Sequence, residues 1–252
     1  MDTSTKGLAI STVAFLALGI AATLSAAEQK KDVDIKAPDG MELKGTYFSP
    51  GKPGPAILLL HQCNMDRHAW DGLAEDLAGN GFHVLALDFR GYGGSVDEHY
   101  KDPTQGRAAM REKWPADVDA AYQFLIAQKG VDKSRVAAGG ASCGMTQAAD
   151  LATRHHEIKA LMLLSSVASE DAKAYIAGNP SLPVFGAASE GDTNAAKGIR
   201  DVLGVSKDPQ SKLKIYPGSE HGVPMFAKNA DLQPMIVAWL KAQMGSRGGA
   251  SR

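Results

Sequence analysis

From Val33 onward, short apolar runs alternate with longer amphipathic ones along the chain. That alternation predicts an α/β fold with a mostly parallel sheet and helices on both faces. Val33–Ile35 and Met41–Phe48, separated by Pro38-Asp39-Gly40, predict an opening hairpin. Ala56–Leu60 is wholly apolar, as a strand covered on both faces should be. Asp66 can cap a helix running to about Ala78 that places Trp70, Leu73 and Leu77 on one face. Further strands are predicted at Phe82–Leu87, Arg135–Gly139, Ala160–Leu164, Val184–Ala187 and Leu213–Tyr216. Helices are predicted at Pro115–Gln128, Cys143–Arg154, Ala172–Ile176, Asn194–Val202 and Leu232–Met244, with Pro115 in a first turn where its missing N–H costs nothing. Val96–Lys113, mixed in charge, reads as a surface loop, and the small, polar tail Gly245–Arg252 as a fraying end. No internal repeat and no Pro- or Ser-rich linker suggests a second domain.

The chain begins differently. Lys6 precedes an uncharged run from Leu8 to Leu24, then the small residues Ser25-Ala26-Ala27, then the polar Glu28-Gln29-Lys30-Lys31. This is the pattern of a secretory signal peptide, with cleavage expected after Ala27. Residues 1–27 would then be an export signal and 28–252 a single domain, secreted or periplasmic, with no membrane contact after cleavage. The alternative is an uncleaved N-terminal membrane anchor, since the run lies at the short end of spanning length. Composition narrows the rest. Lys+Arg 27 against Asp+Glu 28 gives a net charge of -1, with no basic surplus for a nucleic-acid backbone. Two cysteines exclude a disulfide scaffold or a four-thiolate zinc site. No metal-ligand cluster or phosphate-cradling loop is present, so no cofactor or metal is expected.

Gly140-Ala-Ser-Cys-Gly144 matches G-x-S-x-G, with a predicted strand before it and a helix after it. A serine at such a strand–turn–helix tip sits in strained backbone, needs glycines where a Cβ would collide, and faces helix N–H groups. Ser142 is therefore a candidate nucleophile. A serine needs a base that a third group orients. Downstream histidines are His155 and His156, at a helix C-terminus where the dipole explains them, and His221, in a Gly-flanked loop after the last predicted strand. His221 is the candidate base. The loop after the preceding strand offers Glu190 and Asp192 as orienting acid; Asp192 is preferred because Gly191 gives a turn before it. Oxyanion donors would be the backbone N–H groups of Cys143, after the nucleophile, and Cys63, in His61-Gln-Cys-Asn64.

Leu60-His61-Gln62, Asp88-Phe-Arg-Gly-Tyr-Gly-Gly-Ser95, Gly140–Gly144 and Tyr216-Pro-Gly-Ser-Glu-His-Gly222 together give the chain its family likeness. It resembles the α/β-hydrolase superfamily, most closely its small, cap-less, dienelactone-hydrolase-like members. The resemblance implies a Ser142–Asp192–His221 triad and hydrolysis of an ester or related acyl bond in a small-molecule substrate. Asp88 and Arg90 map onto a segment that organises a turn in the family, so neither is given a catalytic role. Many relatives have His-Gly where this chain has His61-Gln62, which suggests a different oxyanion loop and a substrate contact for Gln62. Dienelactone hydrolases use a nucleophilic cysteine where this chain has Ser142, which argues against their substrate.

Cys63 and Cys143 fall on the two oxyanion segments. They can be joined in a disulfide that fixes the hole, or be two free buried thiols. The short interval between the strands ending at Leu164 and starting at Val184 leaves no room for a cap domain, which predicts an open site. Three other functions compete with carboxylesterase: a peptidase or thioesterase on the same triad, a non-catalytic binding protein that keeps the fold, and a thiol redox module, disfavoured by the absence of C-x-x-C.

Overall fold

Every residue of Gly54–Leu60 is buried, and successive side chains enter different cores. Ile57 and Leu59 join one apolar cluster while Leu58 and Leu60 join the other. A period-2 strand that is apolar at every position must be covered on both faces, and this one is. A computed structural model describes residues 1, 2, 29–96 and 106–245. The expected signal peptide and nearly all of the tail lie outside the described residues, as does part of the stretch after Val96.

Strands β1 (Gln29–Lys36), β2 (Glu42–Ser49), β3 (Gly54–Leu60), β4 (His83–Leu87), β5 (Val131–Ala141), β6 (Ile158–Leu164), β7 (Val184–Ser189) and β8 (Lys212–Tyr216) form one sheet in the order β1-β2-β4-β3-β5-β6-β7-β8. The opening hairpin β1–β2 and the β2–β4 pair are antiparallel, and the rest of the sheet is parallel. Helices α1 (Asp71–Gly79), α2 (Gly106–Ile126), α3 (Cys143–Arg154), α4 (Glu170–Gly178), α5 (Thr193–Val205), α6 (Met225–Lys228) and α7 (Leu232–Met244) complete the chain. α1, α6 and α7 close one face through Leu73, Leu77, Met225, Ile236 and Leu240. α2 to α5 close the other through Val118, Leu151, Ile176 and Ile199. Asp66 does cap: its carboxylate accepts the His68 N–H at 2.9 Å, opening a 3-10 turn, Arg67–Trp70, that runs into α1.

Two expectations fail, both at α2. α2 begins at Gly106, so Pro115 lies inside a helix and not in its first turn. A proline there removes one backbone hydrogen bond. Neighbouring contacts hold the segment. Trp114 stacks on Phe89 at 4.7 Å, and the buried Asp117 accepts from Arg90 at 2.9 and 2.7 Å. Tertiary anchoring one residue before and two residues after the proline thus overrides its local signal. The stretch taken as a surface loop, Val96–Lys113, is helical from Gly106. Between β6 and β7 the chain holds α4 alone, and no cap is inserted there.

Candidate active site

The C-terminal ends of β3, β5, β7 and β8 bring the chemistry together. At β5, Ser142 has φ 52 and ψ -124, a conformation that L-residues adopt only when their surroundings force it. The surroundings are visible. A Cβ at Gly140 would lie 2.3 Å from the Gly144 carbonyl oxygen, and one at Gly144 would lie 2.2 Å from that of Leu60. Both glycines let α3 start hard against β3 and β5, which pushes Ser142 outward at the tip. α3 then presents its N-terminal N–H groups beside the hydroxyl.

The loops after β7 and β8 hold the other two candidates, Asp192 and His221. His221 Nδ1 and Asp192 Oδ2 are 2.5 Å apart. An ionised carboxylate only accepts, so Nδ1 carries the proton and Nε2 is left free to act as a base. Three hydrogen bonds lock the two loops: Glu190 N–H to the Tyr216 carbonyl at 2.8 Å, Gly191 N–H to that of Gly218 at 2.7 Å, and Ser189 Oγ to that of Glu220 at 2.8 Å. Gly191 is required by close approach, since a Cβ there would meet the Gly218 oxygen at 2.7 Å. Asp192 is largely buried, whereas Glu190 faces solvent and pairs with Arg200. Of the two candidate acids, the structure brings Asp192 to the histidine. Among the described residues Ser142 Oγ has no hydrogen-bond partner; free enzymes often leave this contact long until substrate binds.

Cys63 and Cys143 are joined in a disulfide with Cα atoms 5.8 Å apart. Of the two states open to these residues, the structure holds the bridged one. Neither the Cys63 nor the Cys143 N–H finds an acceptor among the described residues. Two unpartnered backbone donors therefore lie on residues that the disulfide joins, one of them directly after Ser142.

Gln62, expected to contact substrate, is engaged by the protein itself. It is 3% exposed. Its Oε1 accepts the Val223 N–H at 2.8 Å and its amide nitrogen donates to Asn64 Oδ1 at 2.7 Å. Both ends of the side chain are engaged inside the protein, so it ties the loop after β3 to the His221 loop. His61, to which the sequence assigned no role of its own, is a second residue of this kind. Its Nε2 accepts the Phe89 N–H at 3.0 Å, which leaves Nδ1–H to donate to the Gln62 carbonyl at 2.8 Å. Burial holds its pKa below the ordinary histidine value, consistent with a neutral ring. Asp88 accepts the N–H groups of Arg67 and Gly94, each at 2.7 Å, and Arg90 reaches Asp39 and Asp117. Both organise the turn after β4. His155 bonds Asp119 at 3.0 Å and His156 stacks on Tyr175, away from the site.

A cavity of about 460 Å³ lies at the opposite end of the sheet, lined by Tyr47, Lys52, His83 and Gly130 among others. Ser142, Asp192, His221, Cys63 and Cys143 do not border it. Its histidine is structural: Nδ1 lies 2.5 Å from the Tyr47 hydroxyl and Nε2 3.1 Å from the Lys52 carbonyl. Among the described residues no group of His, Cys, Asp and Glu side chains is arranged to hold a metal ion.

A family model described as alpha/beta hydrolase fold matches residues 55–186, just over half of the chain. The match ends before Asp192 and His221, and it is to the fold family, not to the dienelactone-hydrolase-like subtype. An uncharacterized protein of Mycobacterium tuberculosis strain H37Rv is 38% identical over 126 residues, 49% of this chain and 41% of that protein. The match thus spans less than half the length of this curated relative. Among solved structures, an esterase of Pyrococcus furiosus is 19% identical with a TM-score of 0.69, over 86% of this chain and 92% of that one. A cold-adapted esterase from an Arctic intertidal metagenomic library is 22% identical with a TM-score of 0.65, over 88% and 95% of the two chains. A predicted CIB-like hydrolase from Thermoplasma acidophilum is 16% identical with a TM-score of 0.65, over 86% of this chain and 100% of that one. At these identities the likeness is one of fold.

Proposed function

The chain belongs to the alpha/beta hydrolase family, and from that premise we propose that it is a serine hydrolase cleaving a carboxylic ester or related acyl bond through an acyl-enzyme. The observation that carries the reading is the backbone of Ser142, held at φ 52 between two glycines where a Cβ would stand within 2.3 Å of backbone oxygens. Strain of this kind persists only where the surrounding structure enforces it, and here it lifts a hydroxyl to the end of the sheet. Two of the solved structures that share the fold are named esterases, which favours an ester over other acyl bonds.

Ser142 Oγ attacks the acyl carbon while His221 Nε2 takes its proton. Asp192 keeps the ring in the tautomer with Nδ1 protonated and stabilises the imidazolium that forms. The N–H groups of Cys63 and Cys143 hold the tetrahedral oxyanion. His221 returns the proton to the leaving oxygen, and water hydrolyses the acyl-enzyme by the same route. With α4 alone between β6 and β7, the site suits small, soluble acyl substrates. No cofactor and no nucleic-acid partner enters this scheme. We also place the protein in an oxidising compartment, as an exported chain cleaved after Ala27. The sequence of residues 6–27 supports this, and so does the Cys63–Cys143 bridge, a kind of bond rare in reducing cytosol.

Turnover of p-nitrophenyl acetate by the purified protein tests the activity. Wild type hydrolyses it, and Ser142→Ala loses at least about 10³-fold in kcat while keeping its fold. Equal turnover by the folded variant would overturn the proposal.

A further inference from the structure

We infer that the Cys63–Cys143 disulfide is a positioning element of the oxyanion hole, so that hydrolysis depends on its oxidation; this rests on the serine-hydrolase reading above. The loop after β3 is held on both sides of residue 63. On one side, His61 is pinned to Phe89 and to the Gln62 carbonyl, and the Gln62 side chain is pinned to Val223. On the other, the Met65 N–H returns to the Gln62 carbonyl at 3.0 Å and Asp66 caps the following turn. At the apex the pattern stops. Neither the N–H nor the carbonyl of Cys63 makes a hydrogen bond to any described residue. The covalent link to Cys143, first residue of α3, is the tie that remains there.

The bridge therefore joins the two residues whose N–H groups would share the oxyanion, and fixes their separation directly. Both cysteines are partly exposed, within reach of a small dithiol. Reduction would proceed by thiolate attack on one sulfur, a mixed disulfide, and release of two protein thiols with the reagent as its cyclic disulfide: two electrons and two protons in all. The base of the hole would survive, because Gly144 still packs against Leu60. The apex would gain freedom, and the Cys63 donor would spend less time in place.

Loss of one oxyanion donor lowers kcat by about 10²–10³. Loosening one donor should then lower kcat by roughly 10- to 100-fold, with KM changed less than about threefold, since the hole acts on the transition state. The experiment compares wild type before and after dithiothreitol with a Cys63→Ser/Cys143→Ser double variant, which keeps both N–H groups. p-Nitrophenyl acetate kinetics are run at 25 °C with circular dichroism in parallel. The inference expects a kcat fall with the dichroism spectrum intact, recovery on reoxidation, and a double variant at the reduced level that ignores dithiothreitol. Full kcat in reduced, folded enzyme would overturn it, and so would a kcat loss that tracks loss of the fold, which would assign the bridge to stability. Oxidised wild type with no turnover at all would instead overturn the serine-hydrolase reading, and this inference with it.

Discussion

Asp192 and Glu190 sit two residues apart on one loop, and their surroundings separate them. Asp192 is packed behind His221, while Glu190 spends its charge on Arg200 at the surface. Asp192→Asn should lower kcat by about 10⁴, because an amide holds the imidazole in the wrong tautomer. Glu190→Gln should leave kcat within about twofold, since an exposed ion pair contributes little. Steady-state kinetics on both variants check the assignment; a large loss in Glu190→Gln would reverse it. The His221–Asp192 contact could be anticipated because both residue types stood in loops directly after apolar runs. The contacts of Gln62 could not, because its type and place are shared by substrate-binding and structural amides. Only its two hydrogen bonds distinguish them. His61 stood beside it unread, since no spacing rule marks a histidine that accepts a backbone N–H 28 residues away.

At the scale of elements, the G-x-S-x-G turn works because two backbones nearly touch. Gly144→Ala places a Cβ 2.2 Å from the Leu60 carbonyl oxygen, so α3 must lift from β3. We expect loss of soluble protein or a destabilisation of several kcal/mol, beyond the ~1–3 typical of overpacking, seen in urea unfolding. Gly204, exposed on α5 with nothing within 4 Å of a built Cβ, gives the contrast. Gly204→Ala should stabilise by about 0.5–1 kcal/mol through helix propensity. A neutral Gly144→Ala would remove the steric argument for the turn. Apart from the single-turn α6, the order of strands and helices was legible, since the buried halves of β3 to β7 are apolar runs. The start of α2 was not. Pro115 reads locally as a boundary, and the contacts that carry the helix through it, Trp114 on Phe89 and Asp117 on Arg90, are distant in sequence.

Over the whole molecule, the disulfide closes a separation of 80 residues. Restricting that loop in the unfolded chain stabilises the fold by about 4–5 kcal/mol. Reduction should lower Tm by roughly 10–15 °C for a domain of this size, while leaving the protein folded at 25 °C; an unchanged melting curve would contradict this. Acid acts through the buried histidines. His61 and His83 are held below the ordinary histidine value by desolvation. Each takes up a proton more readily once unfolded, so this share of stability is complete above about pH 6.5 and is lost as pH falls below it. Asp39, drawn down to about 2 by Arg90, adds a second loss between about pH 4 and 2. Urea midpoints should thus begin to fall between pH 7 and 5, before carboxylates of ordinary pKa titrate. A flat midpoint over that range would show that neither ring is held neutral by the fold.

The central claim is that Ser142 is a nucleophile, and one measurement reaches it directly. The oxidised protein is treated with a fluorophosphonate, and the adduct is located by peptide mass spectrometry. A single phosphonyl group on the peptide containing Ser142, absent from Ser142→Ala, is the predicted result. Folded, oxidised protein that takes no label, or a variant labelled as fully as wild type, would contradict it.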